Sequence, residues 1–135
     1  MRLNYSKLAW IAIVPLLVAM PVLGAQQDPN KPPRPAVHKQ FQGQTGTASY
    51  YGPAHQGKRT ASGRRFDQKE LTAAHPWLPF GTKIRVTAQG TGKSVVVVIT
   101  DRLHSKTRVV DLSLAAAKQL GMVRQGIARV SLAPV

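Results

Sequence analysis

Few side chains in this protein can move a proton. Four of its five acidic residues, Asp67, Glu70, Asp101 and Asp111, lie between Gly46 and Val135. Asp101 follows the β-branched run Ser94–Thr100 (SVVVVIT), which places it at the end of a strand beside apolar walls. Low-dielectric walls favour a protonated acid, and a nearby cation favours a carboxylate. Arg102 is adjacent, but neighbours along a strand point to opposite faces. Two readings of Asp101 follow: a carboxylic acid able to donate a proton, or a strand-end Asp that binds turn amides. Asp111 stands before a helical segment and is expected to satisfy its first amides. Asp67 follows Phe66 in a polar loop and is expected to make a local turn bond, and Glu70, beside Lys69, to be solvated. His75 lies in LTAAHPWLPFG, where it could hydrogen-bond a substrate or an acid, or complete a turn. His55 and His104 fall in polar loops and His38 in a proline-rich stretch. No histidine pair has the spacing of a helical metal site, so no metal or other cofactor is expected.

The aromatic side chains are also few. Tyr51 and Trp77 could line a groove, since aromatic faces stack on sugar C–H surfaces, whereas Phe66 and Phe80 are expected in the core. The absence of cysteine excludes a disulfide scaffold, a thiolate metal site and a cysteine nucleophile. The formal net charge of +14 favours polyanionic surroundings. Basic and aromatic residues do not alternate in a cluster, so a nucleic-acid role is not expected.

The elements that must position these residues are mostly strands. Thr47–Tyr51 and Lys83–Ala88 alternate in polarity, and Gln89–Lys93 is turn chemistry leading into Ser94–Thr100, so a hairpin is expected there. The continuous run 94–100 reads as a central strand covered on both sides. Arg108–Val110 is a further short strand. Asp111-Leu112-Ser113 then opens LAAAKQLG, a helix that Ser113 or Asp111 can cap and Gly121 can close. Gly126–Ala133 alternates again. Many short strands in so small a domain predict a closed barrel, because closure removes exposed edges.

The amino terminus differs. Arg2 and Lys7 precede the uncharged run Leu8–Gly24, followed by small residues, which is the pattern of a secretory signal peptide over residues 1–25. Pro15 and Pro21 interrupt the run and disfavour an uncleaved anchor. Residues 26–45, with Pro29, Pro32, Pro33 and Pro35, read as a semi-rigid linker. The barrel is therefore expected over 46–135, in an exported protein of the periplasm or cell envelope. Ala25 stands where a lipidated cysteine would, so no lipid anchor is expected.

An ordered set of segments resembles a known family. The set comprises Gly46-Thr-Ala-Ser-Tyr-Tyr-Gly52, Arg59-Thr-Ala-Ser-Gly63 with Phe66-Asp67, Leu71-Thr-Ala-Ala-His75, Leu78-Pro-Phe-Gly-Thr82, Thr100-Asp-Arg102 and Arg108-Val-Val-Asp-Leu-Ser113. These residues resemble the rare lipoprotein A type of septal lytic transglycosylase. The resemblance implies a six-stranded double-psi β-barrel with one or two short helices. It implies cleavage of the MurNAc–GlcNAc bond of peptidoglycan, preferably in peptide-free strands, to give 1,6-anhydro-MurNAc ends. The family's catalytic aspartate falls on Asp101 and its functional histidine on His75. A glutamate common in the family is replaced by Arg64, which could hold a substrate carboxylate. The family's Asp-Arg-Gly-Pro loop becomes Asp101-Arg-Leu-His-Ser-Lys-Thr-Arg108, so Arg102 and His104 join Tyr51 and Trp77 as candidate substrate contacts. Peptidoglycan strands are the expected partner and division-machinery proteins a further one, with the chain a monomer. The carboxy-terminal glycan-binding domain of many relatives has no counterpart after Val135, so the barrel is expected to find its substrate unaided. The alternative is a barrel that binds glycan without turnover.

Overall fold

The computed structural model describes residues 40–135. The expected signal peptide and most of the expected linker, with His38, lie outside the described residues. Six strands form a closed barrel: β1 (Gln44–Tyr50), β2 (Thr72–Ala74), β3 (Lys83–Ala88), β4 (Ser94–Asp101), β5 (Arg108–Leu112) and β6 (Ala128–Pro134). Around the barrel the order is β1-β5-β2-β4-β3-β6. The β1/β5 and β2/β4 pairs are parallel and the other four are antiparallel, the arrangement of a double-psi barrel. β1 begins at Gln44, two residues inside the stretch read as linker.

Alternation along the strands builds the core. Ile84 and Val86 from β3, Val97 and Ile99 from β4, Val110 and Leu112 from β5, and Val130 from β6 are fully buried. Each such side chain contributes about 1.5–3 kcal/mol on removal from water. The run 94–100 is not covered on both sides. Val95, Val97 and Ile99 face the core while Val96 and Val98 are half-buried, because the outer barrel face there has only partial cover. One helix, α1 (Leu114–Leu120), buries Ala116, Ala117 and Leu120. Ser113, not Asp111, caps it, its Oγ accepting the Ala116 amide at 3.3 Å. Gly121 ends it with φ 74°, a left-handed conformation that suits glycine. A short 3₁₀ turn spans Pro53–His55.

Two features aim residues at one rim of the barrel. The register of β2 against β4 shifts between Ala73 and Ala74, so Ala73 pairs with Ile99 but Ala74 with Asp101. This bulge skips Thr100 and changes the direction Asp101 faces. The β1–β2 connection folds back as an arm. Within it Phe66 donates to Lys58 O (2.7 Å) and Thr60 to Arg64 O (2.8 Å). The arm's turn docks on the end of β4 through Ser62 N to Thr100 O (3.2 Å).

Candidate active site at the end of strand β4

Asp101 is half-buried, and its carboxylate is held from three directions. Oδ1 accepts the backbone amides of Ala61 (2.8 Å) and Arg102 (2.9 Å). Oδ2 accepts the Tyr51 hydroxyl at 2.7 Å. Each carboxylate oxygen can accept two hydrogen bonds, so Oδ1 is filled and Oδ2 keeps one position. Tyr51 packs against the rings of His55 and Phe66, with centroids 4.9 and 4.8 Å away. Burial, and then the hydrogen bond to Asp101, push its phenol far above the usual tyrosine range. Tyr51 therefore stays protonated and donates to Asp101; it does not act as a base.

His75 is fully buried and does not touch the Asp101 carboxylate among the described contacts. The two residues meet through the backbone, where His75 N donates to Asp101 O at 3.2 Å. The His75 ring completes a turn. Nδ1 accepts the amides of Trp77 (3.3 Å) and Leu78 (3.2 Å), which requires it to be unprotonated. Nε2 then carries the proton and donates to Gln44 Oε1 at 3.2 Å. Burial, with the Arg102 charge second, lowers its pKa to about 4. Arg102 completes the same corner, donating from Nη1 to Leu78 O (2.7 Å) and His75 O (3.3 Å).

Residues 43–132 match a protein family described as lytic transglycolase. The chain belongs to that family. Among its relatives is the probable endolytic peptidoglycan transglycosylase RlpA of Synechocystis, 51% identical over 88 residues, 64% of this chain and 27% of that protein. The endolytic peptidoglycan transglycosylase RlpA of Neisseria meningitidis is 46% identical over 91 residues, 66% of this chain and 38% of that one. A probable RlpA of Nostoc is 42% identical over 134 residues, 96% of this chain and 35% of that protein. The chain thus spans well under half the length of the curated relatives it matches. Of solved structures, the Streptomyces papain inhibitor shares the fold with a TM-score of 0.56 at 24% identity, over 68% of this chain and 94% of that one. An expansin of Clavibacter michiganensis does so with a TM-score of 0.56 at 25% identity, over 70% and 50%.

The other residues expected at a family site divide. Tyr51 and Arg102 are at Asp101. Arg64, expected to stand in place of a family glutamate, lies on the exposed arm with its Nη2 3.6 Å from Glu70. Glu70, expected to be solvated, is that exposed partner. Trp77 is 41% exposed and borders a groove of about 300 Å³ that Phe41 and Gln44 also line, beside His75. Asp101 does not line that groove. Phe80 is not in the core. It is 42% exposed, with the Arg102 guanidinium 4.0 Å above its ring, because the Pro79–Thr82 turn carries it outward. His104 is exposed and makes no hydrogen bond to this cluster among the described residues.

Sequence reasoning missed two contributors. The Ala61 amide reaches Asp101 only because the arm docks on β4; the turn signature Thr-Ala-Ser-Gly, with Gly63 at φ 88°, marks such a turn but not its target. Asp111 is no helix cap but a β5 residue. It pairs with Ser49 of β1, whose hydroxyl donates to Oδ1 at 2.5 Å, and with Arg108, whose Nε lies 3.1 Å from the same oxygen. Ala74 is the register partner of both Asp101 and Asp111, so the two carboxylates flank it across three strands. Among the described residues no cluster of His, Cys, Asp and Glu is suited to a metal ion.

Proposed function

We propose that this chain is an exported, endolytic lytic transglycosylase that cuts the MurNAc–GlcNAc bond of peptidoglycan strands and leaves a 1,6-anhydro-MurNAc end. The observation that carries the reading is the Asp101 carboxylate, fixed at the barrel rim with one acceptor position of Oδ2 left unfilled by protein. The activity for which the relatives are named supports the substrate.

The reaction needs a single carboxyl group. Protonated at Oδ2, Asp101 gives its proton to the glycosidic oxygen as the C1–O bond breaks. The resulting carboxylate takes the proton of the sugar's C6 hydroxyl, whose oxygen bonds to C1. No water enters, and Asp101 ends protonated as it began. The Ala61 and Arg102 amides fix Oδ1, so the geometry at Oδ2 does not relax between the two steps. The Tyr51 hydroxyl stabilises the carboxylate formed midway. His75 is a positioning residue. It shapes the turn that presents Trp77, and its backbone fixes the end of β4.

One observation favours a second reading, a glycan-binding barrel without turnover: protein donors already occupy both Asp101 oxygens. Digestion of peptide-free glycan strands, with products read by mass spectrometry, separates the two. The lyase reading requires anhydro-ended fragments from the wild type and at least a hundredfold fewer from Asp101→Asn. Binding without anhydro products would sink it.

A further inference from the structure

Arg108 stands out among the cations around the site. Arg59 and Arg65 each donate to a carbonyl of their own arm, Gly63 O at 2.9 Å and Gly57 O at 3.0 Å. Arg102 is committed to His75 O and Leu78 O, and Arg64 faces Glu70. Arg108 opens β5 three residues before Asp111, and its buried Nε lies 3.1 Å from Asp111 Oδ1 as an ion pair without hydrogen-bond geometry. That ion pair turns the inner edge of the guanidinium toward Asp111. The outer edge, with both Nη atoms, makes no hydrogen bond among the described residues, and the side chain is 41% exposed. Asp111 belongs to the row that runs through Ala74 to Asp101, so the guanidinium is paired to a carboxylate two strands along the barrel from the one assigned to the chemistry. Arg108 is also close enough to act electrostatically on the Tyr51 phenol.

A guanidinium held at one edge and free at the other is a fork aimed at a planar anion. Under the reading above, the glycan offers one such group per disaccharide. The lactyl side chain of MurNAc ends in a carboxylate when the stem peptide has been removed, and in a neutral amide when the peptide remains. We propose that Arg108 reads this carboxylate and makes the site selective for stripped strands; the inference rests on the proposed function and deepens it. Asp111 and Ser49 hold Arg108 in place and do not touch the glycan.

The test uses two uncleavable, thio-linked MurNAc–GlcNAc tetrasaccharides, one with free lactyl acids and one with primary lactyl amides. Calorimetry gives their affinities for the full chain. The wild type is expected to bind the acid form about tenfold tighter, a ratio typical of one charge-assisted pair. Arg108→Gln is expected to bring the ratio to within twofold of one. Since Arg108→Gln leaves Asp111 buried and uncompensated, the neutral pair Arg108→Gln/Asp111→Asn is measured beside it. That double variant keeps a side-chain acceptor for Ser49 and is expected to give the same levelled ratio. A wild type that binds both forms equally, or variants that keep the tenfold preference, would overturn the assignment and leave the lyase reading standing if natural strands still yield anhydro ends. No binding of either form, with no anhydro ends, would overturn both.

Discussion

The His75 ring ties pH to stability with a definite sign. Its Nδ1 accepts two amides, so a proton added there would face two donors that have nowhere else to point. Burial and the Arg102 charge accordingly lower its pKa from 6.5 to about 4. The unfolded chain therefore binds this proton more readily than the folded one. Stability from His75 is complete above the unfolded value and is lost as pH falls from 6.5 toward 4. Linkage with these two values gives a loss of about 2 kcal/mol between pH 7 and pH 5, and about 3 kcal/mol by pH 4. The measurement is urea unfolding at pH 7, 6 and 5, where most carboxylates have yet to titrate. For the wild type the midpoint should fall by about 1 M or more across that range. His75→Gln, which cannot titrate, should start less stable at pH 7 and lose about 2 kcal/mol less on acidification. Parallel pH profiles for the two proteins, or an NMR titration that places the His75 ring near 6.5, would refute the reasoning.

Three further outcomes follow from named contacts. Tyr51→Phe removes the hydroxyl that donates to Asp101 Oδ2, so anhydro-product formation should fall by at least tenfold while the melting temperature moves by only a few degrees. Ser113→Ala deprives the Ala116 and Thr72 amides of their Oγ acceptor and should cost about 1–2 kcal/mol in denaturant unfolding, with the rate on glycan unchanged per folded molecule. Trp77→Ala should weaken glycan binding about fivefold, read by calorimetry, with little change in the unfolding midpoint, because the ring is largely at the surface.

The barrel was legible because its strands alternate in polarity over enough residues to set a face. Lys83–Ala88 repeats exposed and buried positions in step, as the letters suggest. The Asp101 position was legible for the same reason, since a β-branched run must end where its cover ends. The identity of the groups that hold Asp101 was not. Ala61 is 40 residues away in sequence and Tyr51 is 50, and no local pattern encodes a docking partner at that distance. Asp111 was misplaced because a carboxylate two residues before a capping serine looks like part of the cap. The chain instead stays extended through Leu112, and Ser113 alone turns it. Phe80 was misplaced because an aromatic between Pro79 and Gly81 looks like core, whereas a tight turn has no interior to put it in, and Arg102 covers it instead.

The row formed by Asp101, Ala74 and Asp111 bears on which chemistry the site can run. Two carboxylates on strands either side of a third have Cα atoms about 9–10 Å apart. Such a pair could in principle serve an inverting hydrolase, with one acid and one base that activates water. Asp111 is not available for that base role. It is only 9% exposed, and its Oδ1 already receives the Ser49 hydroxyl and the Arg108 cation. So little of the side chain is open to solvent that an attacking water has no place beside it. Under the proposed function that leaves Asp101 as the one acid at the site, and its nucleophile must then come from the substrate. The internal C6 hydroxyl meets that requirement, since it is delivered with the sugar. Product identity therefore tests the argument more sharply than rate. Asp111→Asn should lower stability, yet whatever product it makes should still carry the anhydro ring, and reducing ends formed by water in the wild type would show that a second base operates.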